Sequence, residues 1–145
     1  MVLTDVQIRE IADGLESGMR CYYNRLTGDI RTIIDFERWA DADREFWEED
    51  LKEIEEHYDD YLVFDNLTSN DSFEIMSDFA DTITDSKILS RLINALSNPK
   101  PFSNFKHEID NSEDYRLQWF EFKTSRYIDW VKEQIDFENR KLKNE

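Results

Sequence analysis

Three glycines and two prolines in 145 residues leave this chain few positions where the backbone can take positive φ or have φ fixed. Collagen-like, low-complexity and turn-dense all-β folds are therefore excluded, and helices must carry most of the length. Hydrophobic side chains make up 39% of the chain and aromatic ones 14%, enough apolar surface to offset the entropy of ordering, and the length suits one domain or at most two small ones. No apolar run reaches the roughly 18 residues of a membrane span, and Asp5, Gln7, Arg9 and Glu10 stand where a secretory signal needs a hydrophobic stretch. Cys21 is the sole cysteine, so neither an internal disulfide nor a paired-thiolate zinc site is available, and a cytoplasmic location is expected.

The charge is lopsided. Residues 1–80 hold 22 acids and 7 bases, whereas residues 81–145 hold 12 and 11. The expectation is a single α+β domain over 1–145 with an acidic N-terminal part and a near-neutral helical part. The extreme is residues 35–60, with 13 acids against Arg38, Arg44 and Lys52. Such a field repels phosphate backbones, so double-stranded nucleic acid is not an expected partner, and a basic protein surface is favoured.

Thr4 with Gln7 is a capping box, and Ile8, Ile11, Ala12 and Leu15 follow at helical spacing until Gly18, predicting a helix over 5–17. Alternation from Met19 to Asn24 and the β-branched run Ile30–Ile34 predict a hairpin. Its turn would be type I at Leu26 and Thr27, with Gly28 left-handed in a bulge. Tyr61–Asp65 is read as a third strand, because a two-stranded ribbon alone is only marginally stable. Between them, Phe36, Trp39, Ala40, Trp47, Leu51, Ile54 and Tyr58 mark one stripe of a long acidic helix starting at Asp35.

Further on, Asp71 with Glu74 is read as a cap, ahead of Phe73, Met76, Phe79, Ala80 and Ile83 at helical spacing. Thr84 or Asp85 caps the next helix, with Ile88, Leu89, Leu92, Ile93 and Leu96 inward, and Pro99 and Pro101 end it. A short helix with Phe102, Phe105 and Ile109 precedes a final long one from Ser112 to about 140. The expected fold is thus a small three-stranded antiparallel sheet with five or six helices.

Several local patterns carry a resemblance. They are the Thr-Gly hairpin within Arg25–Asp29, Met76 with Phe79, the Pro101, Phe102, Phe105 and Lys106 segment, and Trp119, Phe120 and Phe122. On these the chain resembles the bacterial uncharacterised protein family 0158, over nearly its whole length and most specifically at 99–131. The resemblance implies a bacterial origin and an α+β domain, and it brings no catalytic residues with it.

Enzyme signatures fail on spacing. There is no G-x-G-x-x-G, no P-loop and no G-x-S-x-G elbow. A Cys21 nucleophile would need His57 or His107 delivered by the fold; a half-buried strand cysteine is the plainer reading. The di-iron helix motif needs Glu three residues before His, yet Ile54 and Asn104 occupy those places. Asp41 to Glu45 imitates the start of a calcium loop, but Phe46 and Trp47 stand where glycine must turn it. Glu53 and His57 share a helix face and are read as solvated surface with at most weak hold on a divalent ion. Asp43 falls on the apolar stripe and, if buried, needs a base such as Lys106 or Arg126. No cofactor and no metal site are expected.

On the final helix Leu117, Phe120, Tyr127, Ile128, Val131 and Ile135 form a core stripe. Tyr115, Trp119, Phe122, Lys123, Arg126 and Trp130 gather within about 100° of one another on the other side. Either this second face packs inward with Lys123 and Arg126 satisfied by the acidic helix of the same chain, or it is an open surface of the residue types that dominate interaction hot spots. The resulting reading is a non-enzymatic protein-interaction or regulatory module, with Trp119, Phe122, Lys123, Arg126 and Trp130 on one candidate surface and Glu48, Glu49 and Glu56 on another. The alternative is a small enzyme or enzyme subunit using a carboxylate–His cluster around Glu53 and His57.

Overall fold

The computed structural model describes residues 1–144 and divides the chain into two compact units, Met1–Asn66 with Tyr127–Glu145, and Leu67–Arg126. The architecture is α+β: six α-helices and a three-stranded antiparallel sheet among the described residues.

The first unit begins with α1 (Asp5–Glu16), opened by the expected capping box: Thr4 N–H donates to Gln7 Oε1 at 2.9 Å and Gln7 N–H to Thr4 Oγ1 at 3.1 Å. Gly18, at φ +79°, ends it in the left-handed conformation that costs other residues a Cβ clash. Strands β1 (Met19–Asn24), β2 (Ile30–Ile34) and β3 (Tyr61–Phe64) follow, in the order β2-β1-β3. The hairpin turn is one residue longer than expected. Gly28 N–H donates to the Asn24 carbonyl, not to that of Arg25, because the buried Asn24 carboxamide accepts from Leu26 N–H and Thr27 N–H and so winds the loop from inside. The buried residues Ile8, Ile11, Ala12 and Leu15 give α1 its core face, and Gly14 allows a close approach: a Cβ there would lie 2.6 Å from Cys21 Sγ.

The long helix expected from Asp35 does not form. Residues 35–43 are turns and bends, Arg44–Trp47 is a single 3₁₀ turn, and only α2 (Glu48–Glu56) is α-helical. One aspartate explains the break. Asp35 caps a first turn, accepting from Glu37 N–H at 3.0 Å, but in mid-segment Asp43 accepts from Glu45 N–H at 3.0 Å, so its side chain takes the donor that a continuous helix would give to the Asp41 carbonyl. Asp43 is therefore an exposed cap and pairs with neither Lys106 nor Arg126. Of the expected stripe, Ile54 is buried and Phe36, Trp47 and Leu51 pack on a cluster with Ile33 and Tyr61, while Trp39 and Tyr58 are exposed.

The second unit contains α3 (Ser69–Asp81), α4 (Ser86–Ser97), α5 (Pro101–Asp110) and the first part of α6 (Glu113–Lys143). Helix α3 starts two residues before the expected cap: Thr68 is the N-cap, and Asp71 closes a capping box on it instead of capping with Glu74. Asp85 caps α4, and Pro101 is its successor's first residue, where the missing N–H costs nothing. Ile75, Met76, Phe79, Ala80, Ile83, Leu92, Phe105, Ile109 and Trp119 form one continuous core. Ile93, expected inward, is exposed, and so is Phe102.

Candidate interaction surface

The segment 35–60 displays its aromatics. Phe46 is 76% exposed, Tyr58 64% and Trp39 51%, among carboxylates that include the exposed Glu48, Glu49 and Glu56. Removing a large ring from water is worth about 1.5–3 kcal/mol, so leaving three in solvent is a cost that a bound partner would recover. Arg38 lies 5.8 Å from the Trp39 ring and Arg44 4.4 Å from that of Phe36, so two of the segment's three cations are held against its own aromatics. Glu48, Glu49 and Asp50 occupy the first turn of α2, where the helix dipole welcomes them. Its last turn carries Glu53, Glu55 and Glu56 with no base, at the end where the dipole favours cations. Its nearest Lys or Arg is Lys52, one turn back and 3.9 Å from Glu56. Sequence reasoning missed Phe46; the available signal was that it sits beside Trp47 but off the apolar stripe.

The carboxylate–His cluster does converge. Ligand atoms of Glu53, Glu56 and His57 lie within 4.8 Å of one another and could hold a divalent ion. All three already have neighbours at the surface: His57 Nδ1 is 3.3 Å from Glu53 Oε1, the Tyr61 hydroxyl donates to that oxygen at 3.4 Å, and Lys52 Nζ is 3.9 Å from Glu56. His107 meets Asn111 at 3.1 Å in the other unit. Cys21 is fully buried rather than half-buried, its thiol donates to the Ile11 carbonyl at 3.5 Å, and burial first, then the Glu10 charge, pushes its pKa up to about 12. A thiol so held is protonated at neutral pH and no nucleophile.

The two faces expected on α6 are both real, but each is buried over only part of the helix. Before Tyr127 the inward residues are Trp119, 8% exposed, with Tyr115 and Phe122 packed on the same core. Trp119 sits 5.3 Å from Phe79 and 4.9 Å from Phe105, ring centre to ring centre, which accounts for its whole surface by packing. Here Leu117 and Phe120, assigned to the core stripe, are 65% and 41% exposed. From Tyr127 onward that stripe turns inward: Tyr127, Val131 and Ile135 are buried. Arg126 is satisfied by Asp78 of α3 at 2.7 Å rather than by the acidic helix, and Lys123 stacks 5.8 Å from the Trp119 ring. Trp130 belongs to the first unit, where its Nε1–H donates to the Asp65 carbonyl at 2.7 Å. The expected aromatic–basic surface is thus divided between the two units, and Trp119 belongs to a core.

An α+β chain whose densest run of carboxylates also carries its three most exposed rings outside the C-terminal helix is the class these features define. Residues 2–142 match the model of UPF0158, described as an uncharacterised protein family, and the chain belongs to that family. It is 27% identical over 75 residues to the UPF0158 protein PA5073 of Pseudomonas aeruginosa (strain ATCC 15692), a match covering 52% of this chain and 49% of the relative. The matched segment therefore spans about half the length of that curated relative. No solved structure matches. Among the described residues no helix is long and apolar enough to cross a membrane.

Proposed function

We propose that this chain is a non-enzymatic interaction module of the bacterial cytoplasm, and that residues 35–60 are its docking surface for a basic protein. One observation carries the reading: Trp39, Phe46 and Tyr58 stand in solvent inside the most acidic segment of the chain. Exposed rings supply contact area and carboxylates supply steering, the two components from which an interface with a cationic surface is built. A strand-held thiol with no disulfide partner fits a reducing compartment.

The test is capture from bacterial extract on the immobilised chain, followed by salt elution. The reading expects a retained protein with a basic surface, released as ionic strength rises because screening acts over about 8 Å at physiological salt. It also expects loss of that protein with the Trp39→Ala/Phe46→Ala double variant, whose fold is checked by circular dichroism. Retention that is unchanged by both salt and the double variant sinks the proposal. A second reading, a small enzyme using Glu53, Glu56 and His57, has in its favour only that their ligand atoms converge; stoichiometric divalent-ion binding abolished by His57→Ala would move it ahead.

A further inference from the structure

The outer edge of β3 is only partly closed. Asn24 N–H donates to the Asp29 carbonyl at 2.8 Å, so even-numbered residues of β1 turn their backbone groups toward β2 and the odd-numbered ones toward β3. Cys21 and Tyr23 pair in register with Phe64 and Leu62, which leaves Tyr61, Val63 and Asp65 pointing their N–H and C=O away from the sheet. Two of these positions are occupied. Tyr61 N–H donates to the Tyr58 carbonyl. Asp65 N–H donates to Gln134 Oε1 at 2.8 Å, and its carbonyl accepts from Gln134 Nε2 at 3.1 Å. The Gln134 carboxamide therefore stands in for a residue of a neighbouring strand, offering one acceptor and one donor to a single backbone unit. Between the two, among the described residues, no group of the chain bonds the outward N–H or C=O of Val63.

That unmet pair faces a groove of about 560 Å³, within the size range of real ligand sites. Leu62, Val63 and Asp65 form one wall, and α6 forms the other with Trp130, Gln134 and Phe137 among its residues. Phe137 is 52% exposed. Asp65, Glu133, Asp136 and Glu138 line it as well, with Arg140 and Lys141; Glu138 is engaged by Lys141 at 3.5 Å and by Arg25 at 3.3 Å, and Lys141 also lies 4.7 Å from the Phe137 ring, so Asp65, Glu133 and Asp136 outnumber Arg140. A groove between an edge strand and a helix, with a free backbone donor and acceptor in it, is the geometry by which an extended peptide is taken up as an additional strand.

The geometry points to a second binding site: the groove between β3 and the C-terminal half of α6 accepts an extended, basic segment of a partner protein as a fourth strand, paired through the backbone of Val63. A backbone edge selects a backbone, which names a peptide over a small molecule. The three carboxylates select Lys or Arg at the rim, and Phe137 with Trp130 selects an apolar side chain at the alternate position. At about 3.3 Å per residue, the edge left between the occupied Tyr61 and Asp65 takes roughly three residues of such a segment, centred on Val63. These residues are separate from Trp39, Phe46, Glu48, Glu49 and Glu56, so this site and the 35–60 surface stand or fall independently.

The probe is a capped heptapeptide of alternating lysine and valine, titrated into the ¹⁵N-labelled full chain. The Val63 amide should shift in the nuclear magnetic resonance spectrum and its hydrogen exchange should slow at least tenfold. Two control peptides, one N-methylated on alternate backbone nitrogens and one with glutamate for lysine, should each bind at least tenfold more weakly. Val63→Pro removes the outward N–H without touching the bonds to β1 and should abolish binding; Asp136→Lys with Phe137→Ala is the second variant should that one fail to fold. A Val63 amide unmoved at millimolar peptide overturns the proposal, as does equal binding of the N-methylated peptide. Glu48→Gln/Glu49→Gln/Glu56→Gln should leave the affinity within twofold. Loss in that variant with Val63 unperturbed would place the peptide on the 35–60 surface and overturn the groove while supporting the earlier reading.

Discussion

The two units differ in how much charge and aromatic surface they leave uncompensated. In Leu67–Arg126, 10 acids face 7 bases, the aromatic rings of Phe79, Phe105 and Trp119 are stacked within one core, and the rings that remain at its surface, Phe73, Phe102 and Phe120, are each less exposed than any of Trp39, Phe46 and Tyr58. Its charges are spent locally: Asp71 and Asp85 serve helix starts, and Asp78 holds Arg126. In the other unit 24 acids face 11 bases, while Trp39, Phe46 and Tyr58 stand in water and α2 ends in carboxylates without a base. Packing accounts for the core rings of the second unit and for Phe36, Trp47, Leu51 and Ile54 of 35–60. It does not account for Trp39, Phe46 and Tyr58, and surface that folding leaves unexplained is where binding is to be sought.

Truncating one ring in each unit sharpens that difference most. Trp119→Ala should lower unfolding stability by about 3 to 5 kcal/mol, the range for removing a large buried side chain, while Phe46→Ala should move it by less than about 0.5 kcal/mol, as for surface substitutions. Denaturant melts of the two variants decide it. A mild Trp119→Ala would mean its face is not core, and a severe Phe46→Ala would mean the acidic segment is packed after all.

A smaller effect is expected where α1 meets β1. Gly14→Ala places a Cβ 2.6 Å from Cys21 Sγ and 3.0 Å from Thr32 Cγ2, so it should cost about 1–3 kcal/mol through overpacking, and Gly14→Ala/Cys21→Ala should recover part of that. The same cysteine gives a pH signature. Its thiol titrates near 9.0 when unperturbed and is pushed up to about 12 in the fold, so between those values the folded state binds the extra proton. Stability from this group is complete below pH 9 and is lost as pH rises toward 12, with a slope of at most about 1.4 kcal/mol per pH unit. Thiol labelling with a disulfide reagent at pH 8 should proceed only as fast as the chain opens; rapid labelling of the folded protein would show the thiol to be accessible.

Legibility followed the range of the interactions. The capping box at Thr4 and Gln7, the left-handed Gly18 and Gly28, and the third strand at Tyr61 were all readable, because each is fixed by neighbours in sequence or by alternation. The helix expected from Asp35 was not, since apolar spacing there coincided with a helical period while Asp43, in its middle, bonded its own backbone two residues on. On α6 both stripes were visible, yet nothing local says which half of a helix buries which stripe. Of the acidic surface, the carboxylates were legible and the exposure of Phe46 was not. The groove was invisible, because it joins Asp65 to Gln134 across 69 positions and depends on which edge of the sheet β3 occupies.

The smallest effect tests the comparison at the level of a single carboxylate. Asp71 accepts from Thr68 N–H at 2.9 Å and from the Thr68 hydroxyl at 2.8 Å, and these two bonds, the backbone one foremost, hold its pKa below the ordinary value of 3.8. A carboxyl depressed in the folded state contributes stability that is complete above its unfolded pKa and is lost as pH falls through the lower native value. Asp71→Asn should therefore destabilise by about 0.3 to 1 kcal/mol at pH 7, the usual worth of an acid at a helix start. The difference should stay flat down to about pH 5 and shrink below the ordinary value of 3.8. Glu56→Gln, by contrast, removes a carboxylate from the unfavourable end of α2 and gives up only a 3.9 Å exposed pair with Lys52, so at pH 7 it should be neutral or slightly stabilising. Urea melts of both variants from pH 7 to pH 3 give the answer. If Glu56→Gln destabilises as much as Asp71→Asn, the carboxylates of 35–60 support the fold, and their claim to be a docking surface weakens accordingly.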